Sequence, residues 1–208
     1  MQLVLSLRIL GLLLMVFSSA MLLPLLAELW RPSGASRAFL AAFGLTFGAG
    51  LLLWLPRRGA QQELRIRDGF LVTALFWTVL GIFGALPFAL TETIDASPMD
   101  AVFESISGLT TTGATVLSGL DGMPPSILLY RQLLQWLGGI GIIVVAVAVL
   151  PMLGVGGMQL YRAETPGPSK DSKLTPRITG TAKALFSVYV ALTACCSVAY
   201  WLAGMTVF

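Results

Sequence analysis

The sequence predicts an all-α integral membrane protein, and three observations carry that prediction. Of 208 residues, 56% are hydrophobic and only 11% are charged, where a soluble domain carries roughly 25% charged residues. The mean hydropathy is +0.86. Five apolar runs, roughly Ile9–Leu29, Ala38–Leu55, Phe70–Leu90, Ile127–Leu150 and Ala184–Phe208, are long enough, or nearly so, to cross the hydrocarbon as helices of about 20 residues. The same composition excludes other classes. A net charge of +3 spread over several loops leaves no nucleic-acid footprint. The chain has no His, so the commonest metal ligand and general base is missing. Cys195 and Cys196 are neighbours in an apolar run, where they read as lipid- or helix-facing filler.

The first run also fits a signal peptide, with Arg8 as its charge and Ser18-Ser19-Ala20 as a cleavage site. Its apolar character continues past that site to Leu29, which favours a retained helix. Basic residues orient the rest. Arg8, the loop with Arg57, Arg58, Arg65 and Arg67, and the segment with Arg162, Lys170, Lys173, Arg177 and Lys183 hold ten of the thirteen Lys and Arg. Only Arg31, Arg37 and Arg131 are left for the opposite side. The positive-inside rule therefore puts the N-terminus and both basic loops in the cytoplasm. The segment between the third and fourth runs, with Glu92, Asp95, Asp100 and Asp121, then starts and ends outside.

That segment carries its own helix signal. Ser97 is a candidate N-cap, Pro98 stands at the first helical position and Asp100 follows three residues after Ser97, a capping-box pattern. Ala101, Val102, Phe103, Ile106 and Leu109 supply an apolar face, and the helix is expected to end at Gly108 or shortly after. About 11 residues make a helix near 16 Å long, which reaches the membrane middle without crossing it. An outside start, a half-length helix and an outside return describe a re-entrant loop; an amphipathic surface helix is the alternative.

The stretch after this helix, Thr110-Thr111-Thr112-Gly113-Ala114-Thr115, is polar without being charged. Non-helical backbone at membrane depth is tolerated only inside protein or along a water-filled cavity. Here it places carbonyl oxygens at the negative end of a helix dipole, and Gly113 lets neighbouring carbonyls turn towards one axis. Carbonyls arranged that way replace the hydration shell of a monovalent cation. The bland reading is an ordinary Thr/Gly turn.

The residues "GFLVTALFWTVLGIFGALPF", "FESISGLTTTGATVLSGLD", "YRQLLQWLGGIGIIVVAVAVLPMLGVGGMQLYRAE" and "PGPSKDSKLTPRI" resemble the membrane subunit of the bacterial Trk-type potassium uptake system, in the Trk/Ktr/HKT superfamily. The resemblance implies a two-helix N-terminal unit (1–68), one full helix–pore-loop–helix repeat (69–157, with its filter at 110–115), a cytoplasmic loop (158–181) and the first helix of a second repeat (182–208). A member of that superfamily has four such repeats around one pore, so the expectation is an N-terminal fragment or a truncated product. By resemblance, Thr111, Thr112 and Gly113 form the K⁺-binding selectivity filter, with Thr110 below and Ala114 above as support. It also implies a multi-pass protein of the bacterial inner membrane and a homodimer in the lipid bilayer. A cytosolic regulatory subunit that binds NADH or adenine nucleotides is its implied partner. No cofactor is expected in this chain, K⁺ being the transported ion, and no nucleic-acid partner.

Around the filter, Glu104 either adds negative potential near the pore or pairs with Arg131 or backbone groups. Arg131, Gln132 and Gln135 read as hydrogen-bonding braces. Gly138, Gly139 and Gly141, like the Gly44 and Gly48 pair in GxxxG spacing, read as close helix-packing sites. Gly154 to Gly157 end a helix, as a plain C-cap or as a flexible point beneath the pore. The segment from Tyr161 to Arg177 reads as exposed, facing either solvent or the regulatory subunit. Two rival classes stand beside the transporter. An intramembrane enzyme would need a catalytic pair at depth, which the acids at helix ends do not supply. A non-conducting structural subunit would have no use for a capped half-helix finished by TTTG.

Overall fold

The computed structural model describes residues 3–57, 66–144 and 171–205, and every regular element among them is helical. The Gly154–Gly157 cap lies outside these residues. The helices are α1 (Leu3–Ala20), α2 (Pro24–Trp30), α3 (Ser36–Trp54), α4 (Ile66–Gly84), α5 (Leu86–Leu90), α6 (Pro98–Leu109), α7 (Pro125–Val144) and α8 (Asp171–Leu202). The fold is that of an all-α integral membrane protein: a two-helix unit (α1 to α3), a helix–loop–helix repeat (α4 to α7) and the first helix of a second repeat (α8). Among the described residues four stretches are long and apolar enough to cross a membrane, Val4–Trp30, Ser36–Trp54, Leu71–Leu90 and Gly180–Leu202; the fifth expected run, Ile127–Leu150, lies partly outside them.

Two of the expected runs are broken by proline. The ring of a proline clashes with the carbonyl four residues back and its nitrogen has no hydrogen to donate. Pro24 therefore stops α1 at Ala20, and a turn through Met21, Leu22 and Leu23 leads into α2. Pro87 likewise follows a break at Ala85 between α4 and α5. Of the expected loop 158–181, residues 158–170 lie outside the described residues, and α8 begins at Asp171.

The chain divides into two compact units, Met1–Gly139 and Ile140–Phe208. In the first, α1 and α3 lie against each other most extensively. Gly11 and Gly50 make that approach possible: a Cβ on Gly11 would lie 2.6 Å from the Gly50 carbonyl oxygen, and one on Gly50 would lie 2.7 Å from that of Gly11. The GxxxG pair does not do this. A Cβ on Gly44 or on Gly48 would meet nothing within 4 Å, because α3 buries the column Ala38, Ala42, Thr46 and Gly50 and turns the other side outward with Leu40, Leu45 and Leu52. The core contains Leu14, Met21, Phe39, Phe88, Tyr130 and Leu134. Tyr130 is fully buried. Its ring meets Phe39 edge-on at 5.4 Å and Phe88 at 5.2 Å, and its hydroxyl donates to the Gly84 carbonyl at 3.0 Å. These contacts fix α7 beside α3, α4 and α5. In the second unit, the side chains of α8 are exposed from Gly180 onward, apart from half-buried Ala182 and Tyr189, and Cys195 and Cys196 are among the exposed ones.

Candidate functional site

The expected capping box is present. Ser97 Oγ accepts from the Asp100 N–H at 3.2 Å, while the Asp100 carboxylate accepts from the Ser97 N–H at 3.0 Å. With Pro98 at N1, these bonds set the start of α6 and hold the Asp100 carboxyl below the usual carboxylate range. Twelve residues later α6 ends at Leu109. Glycines bed it against its neighbours. A Cβ on Gly81 of α4 would lie 2.8 Å from Ile106, and one on Gly108 would lie 2.9 Å from Leu134 of α7. Gly138 of α7 faces the Leu109 carbonyl too closely to admit any side chain, as its reading as a packing site requires.

The end of α6 is a Schellman motif. Thr112 N–H donates to the Ser107 carbonyl and Thr111 N–H to the Gly108 carbonyl, both at 2.9 Å. The motif requires a left-handed residue just past the cap, a position usually filled by glycine. Here it is Thr111, at φ +57°, and among the described residues it is the one non-glycine with positive φ. Thr112 returns to negative φ and Gly113 is left-handed again at φ +74°. The sign of φ thus reverses twice between Thr111 and Gly113. The N–H groups of Thr110 to Gly113 all point back onto the carbonyls of Ile106, Ser107 and Gly108. Among the described residues no donor is paired with the carbonyls of Thr110, Thr111, Thr112 or Gly113, and these four residues are exposed. The Thr112 and Thr110 hydroxyls bond each other at 2.8 Å, and Thr110 Oγ1 donates to the Ile106 carbonyl at 2.8 Å.

The chain leaving the loop is tied down by Glu104. Its Oε1 accepts from the Thr115 hydroxyl, from the Val116 N–H at 2.8 Å and from the Leu117 N–H at 3.3 Å. Its Oε2 takes the Arg131 Nε at 2.9 Å. Both side chains of the pair are buried, while Thr110 to Gly113 are exposed. Of the two readings of Glu104, pairing with Arg131 and backbone is the one present. Gln132 and Gln135 do not brace the loop: Gln132 is exposed, a hundred degrees round α7 from the buried face of Arg131, Leu134 and Gly138, and Gln135 bonds no loop residue. Glu28, unremarkable in the sequence, is also buried. It accepts from the Ser33 N–H at 3.0 Å, the Ser33 hydroxyl at 2.5 Å and the Ser126 hydroxyl at 2.5 Å, joining the start of α7 to the turn before α3.

Chemically the loop offers bare acceptors at the negative end of a helix. No group of three or more His, Cys, Asp or Glu among the described residues is placed to hold a metal ion. The arrangement suits a cation held by backbone oxygens.

Comparison with known proteins shows the family. Residues 35–207 match the TrkH family model, described as a cation transport protein. Over all 208 residues the chain is 62% identical to a Trk system potassium uptake protein TrkH of Halomonas elongata, covering 43% of that protein. It is 57% identical over 201 residues, 97% of this chain and 42% of the relative, to the protein of the same name from Escherichia coli K12. The crystal structure of the potassium transporter TrkH from Vibrio parahaemolyticus matches with a TM-score of 0.85 at 50% identity, over 99% of this chain and 41% of that one. The chain thus spans about two fifths of the length of these relatives.

Proposed function

The chain belongs to the TrkH family of cation transport proteins, and from that premise we propose that it forms one wall of a pore carrying K⁺ inward across the bacterial inner membrane. It acts as a transporter component and not as an enzyme. Its N-terminus and basic loops face the cytoplasm, and the loop 110–115 is the filter of the repeat 69–157. Ions enter past Glu92, Asp95 and Asp121, shed water against the carbonyls of Thr111, Thr112 and Gly113, and leave towards the cytoplasm. In the working assembly the protein is a homodimer gated by a cytosolic nucleotide-binding subunit, which meets the segment from Tyr161 to Arg177.

One observation carries the reading: the N–H groups of Thr110 to Gly113 are consumed by the end of α6 while their carbonyls have no donor among the described residues. A cation that leaves water needs several such oxygens around it, because an ion left partly unliganded in an apolar setting is prohibitively costly. One loop supplies one side only. Other repeats must close the ring, so the 208-residue chain by itself is expected to insert into membranes and carry no K⁺ current.

The test is a chimera in which residues 1–208 replace the matching part of the Halomonas elongata relative, made in a bacterium lacking its own K⁺ uptake. Growth at low K⁺ and uptake of radioactive Rb⁺ are expected. A chimera that reaches the membrane in normal amounts yet transports neither ion would refute the pore and favour a non-conducting structural subunit.

A further inference from the structure

Ser107 lies in the last turn of α6, and its side chain has a task separate from its backbone. The Ser107 carbonyl receives the N–H groups of Thr112 at 2.9 Å and Gly113 at 3.4 Å, an arrangement any residue could provide. The hydroxyl donates to the Ala114 carbonyl at 2.7 Å, across seven residues. Ser107 is buried while Ala114 is exposed, so this bond draws one carbonyl of an exposed loop back towards the helix. Ala114 stands directly after the row of free carbonyls, which ends at Gly113.

We infer that the Ser107 hydroxyl is a positioning group that sets the outer limit of the ion-facing oxygens, by withdrawing the Ala114 carbonyl from the row. The inference rests on the proposed pore and deepens it. With the bond in place, the wall presents the carbonyls of Thr111, Thr112 and Gly113 in fixed directions, and the first oxygen above them is held against α6. Without the hydroxyl, the peptide between Ala114 and Thr115 can rotate. Its oxygen then becomes a loosely held extra ligand at the mouth. A movable ligand can close around a small ion as readily as around a large one, so Na⁺ gains more than K⁺. The Glu104 bonds to Thr115, Val116 and Leu117 begin one residue further on. They keep the rest of the exit strand in place whichever way Ala114 turns.

The experiment uses the chimera described above, with Ser107→Ala and Ser107→Thr, and measures K⁺ and Na⁺ uptake competition at matched membrane abundance. A single neutral hydrogen bond weighs about fivefold in an equilibrium. Ser107→Ala is expected to lower the K⁺ over Na⁺ preference by roughly that factor, and Ser107→Thr, which keeps the hydroxyl, to restore most of it. Abundance and the maximal K⁺ rate should change little in either variant. Two outcomes overturn the inference: an unchanged preference in Ser107→Ala, or an equal loss in Ser107→Ala and Ser107→Thr, which would make Ser107 a packing residue only. If the unsubstituted chimera transports neither ion, the pore itself is refuted, and that failure is read before either variant is.

Discussion

Replacing Gly113 by Ser should separate the stability of the loop from its selectivity. At φ +74° Gly113 holds a conformation that a residue with a Cβ resists. The added side chain would meet nothing, since no atom lies within 4 Å of its Cβ position. The penalty is therefore the backbone's alone, roughly 1–2 kcal/mol. The anchors on either side do not depend on residue 113: the Schellman bonds of Thr111 and Thr112 precede it, and the Glu104 bonds to Val116 and Leu117 follow it. The variant should therefore assemble and reach the membrane normally. The same 1–2 kcal/mol favours any alternative peptide rotation by about 5- to 30-fold, and such a rotation swings the Thr112 or Gly113 carbonyl out of the row. K⁺ and Na⁺ uptake by the chimera, at equal abundance, should show Na⁺ competing several-fold better. Thr112→Ser keeps the hydroxyl that meets Thr110 and leaves the backbone alone, so it serves as the control and should retain K⁺ preference. Unchanged selectivity in Gly113→Ser at normal abundance would remove Gly113 from the filter and return the stretch to an ordinary turn. Loss of the protein from the membrane would refute the claim that the neighbouring anchors suffice.

Glu104→Gln leaves the Arg131 guanidinium buried without a carboxylate, and breaking a buried pair from one side costs about 3–5 kcal/mol; a fall in the thermal stability of the purified protein is expected, and Glu104→Gln with Arg131→Met should recover part of it. An equal loss in the single and double variants would show that the pair itself contributes nothing. Gly50→Ala places a methyl 2.7 Å from the Gly11 carbonyl oxygen, so it should destabilise by about 1–3 kcal/mol, whereas Gly44→Ala should change thermal stability by less than about 1 kcal/mol. The reverse order would return the packing role to the GxxxG pair.

What the sequence made legible was local. Ser97, Pro98 and Asp100 lie within one turn, so their capping bonds could be anticipated from spacing alone, and the length of α6 followed. The position of Gly113 after a half-helix pointed to a left-handed residue, and one is found there. Thr111 was harder. Its side chain argues against the left-handed region, and only the Schellman bonds at the end of α6 require it. The GxxxG spacing of Gly44 and Gly48 put two small residues on one side of α3, but spacing does not say which side meets α1. The breaks at Pro24 and Pro87 went unread, because each lies inside a run whose hydropathy continues across it. Glu28 and Ser126 are separated by 98 positions, and no periodicity links such a pair. Glu104 is a partial exception: Arg131 and backbone groups could be named as its partners and both are found, but nothing in the spacing pointed to the Thr115 hydroxyl.

These long-range bonds explain how a strained loop keeps its shape. A β-branched residue in the left-handed region costs on the order of 1–3 kcal/mol and persists only where its surroundings over-determine it. Glu28 fixes the first turn of α7 through Ser126, and one turn later Tyr130 is locked among Phe39, Phe88 and the Gly84 carbonyl. Arg131 follows immediately and holds Glu104, which holds the exit strand from Thr115 to Leu117. The entry side is held by the end of α6. The anchors that touch the loop itself use its N–H groups and the Thr115 hydroxyl as donors, to the carbonyls at the end of α6 and to the Glu104 carboxylate. A buried polar group seeks a partner, and here the donors have theirs. What is left exposed from Thr110 to Gly113 is a row of acceptors, three threonine carbonyls and one glycine carbonyl. An anion finds no free backbone N–H there, and an apolar group gains nothing. A cation stripped of water finds the oxygens it has lost, which is why the arrangement suits a cation held by backbone rather than by charge.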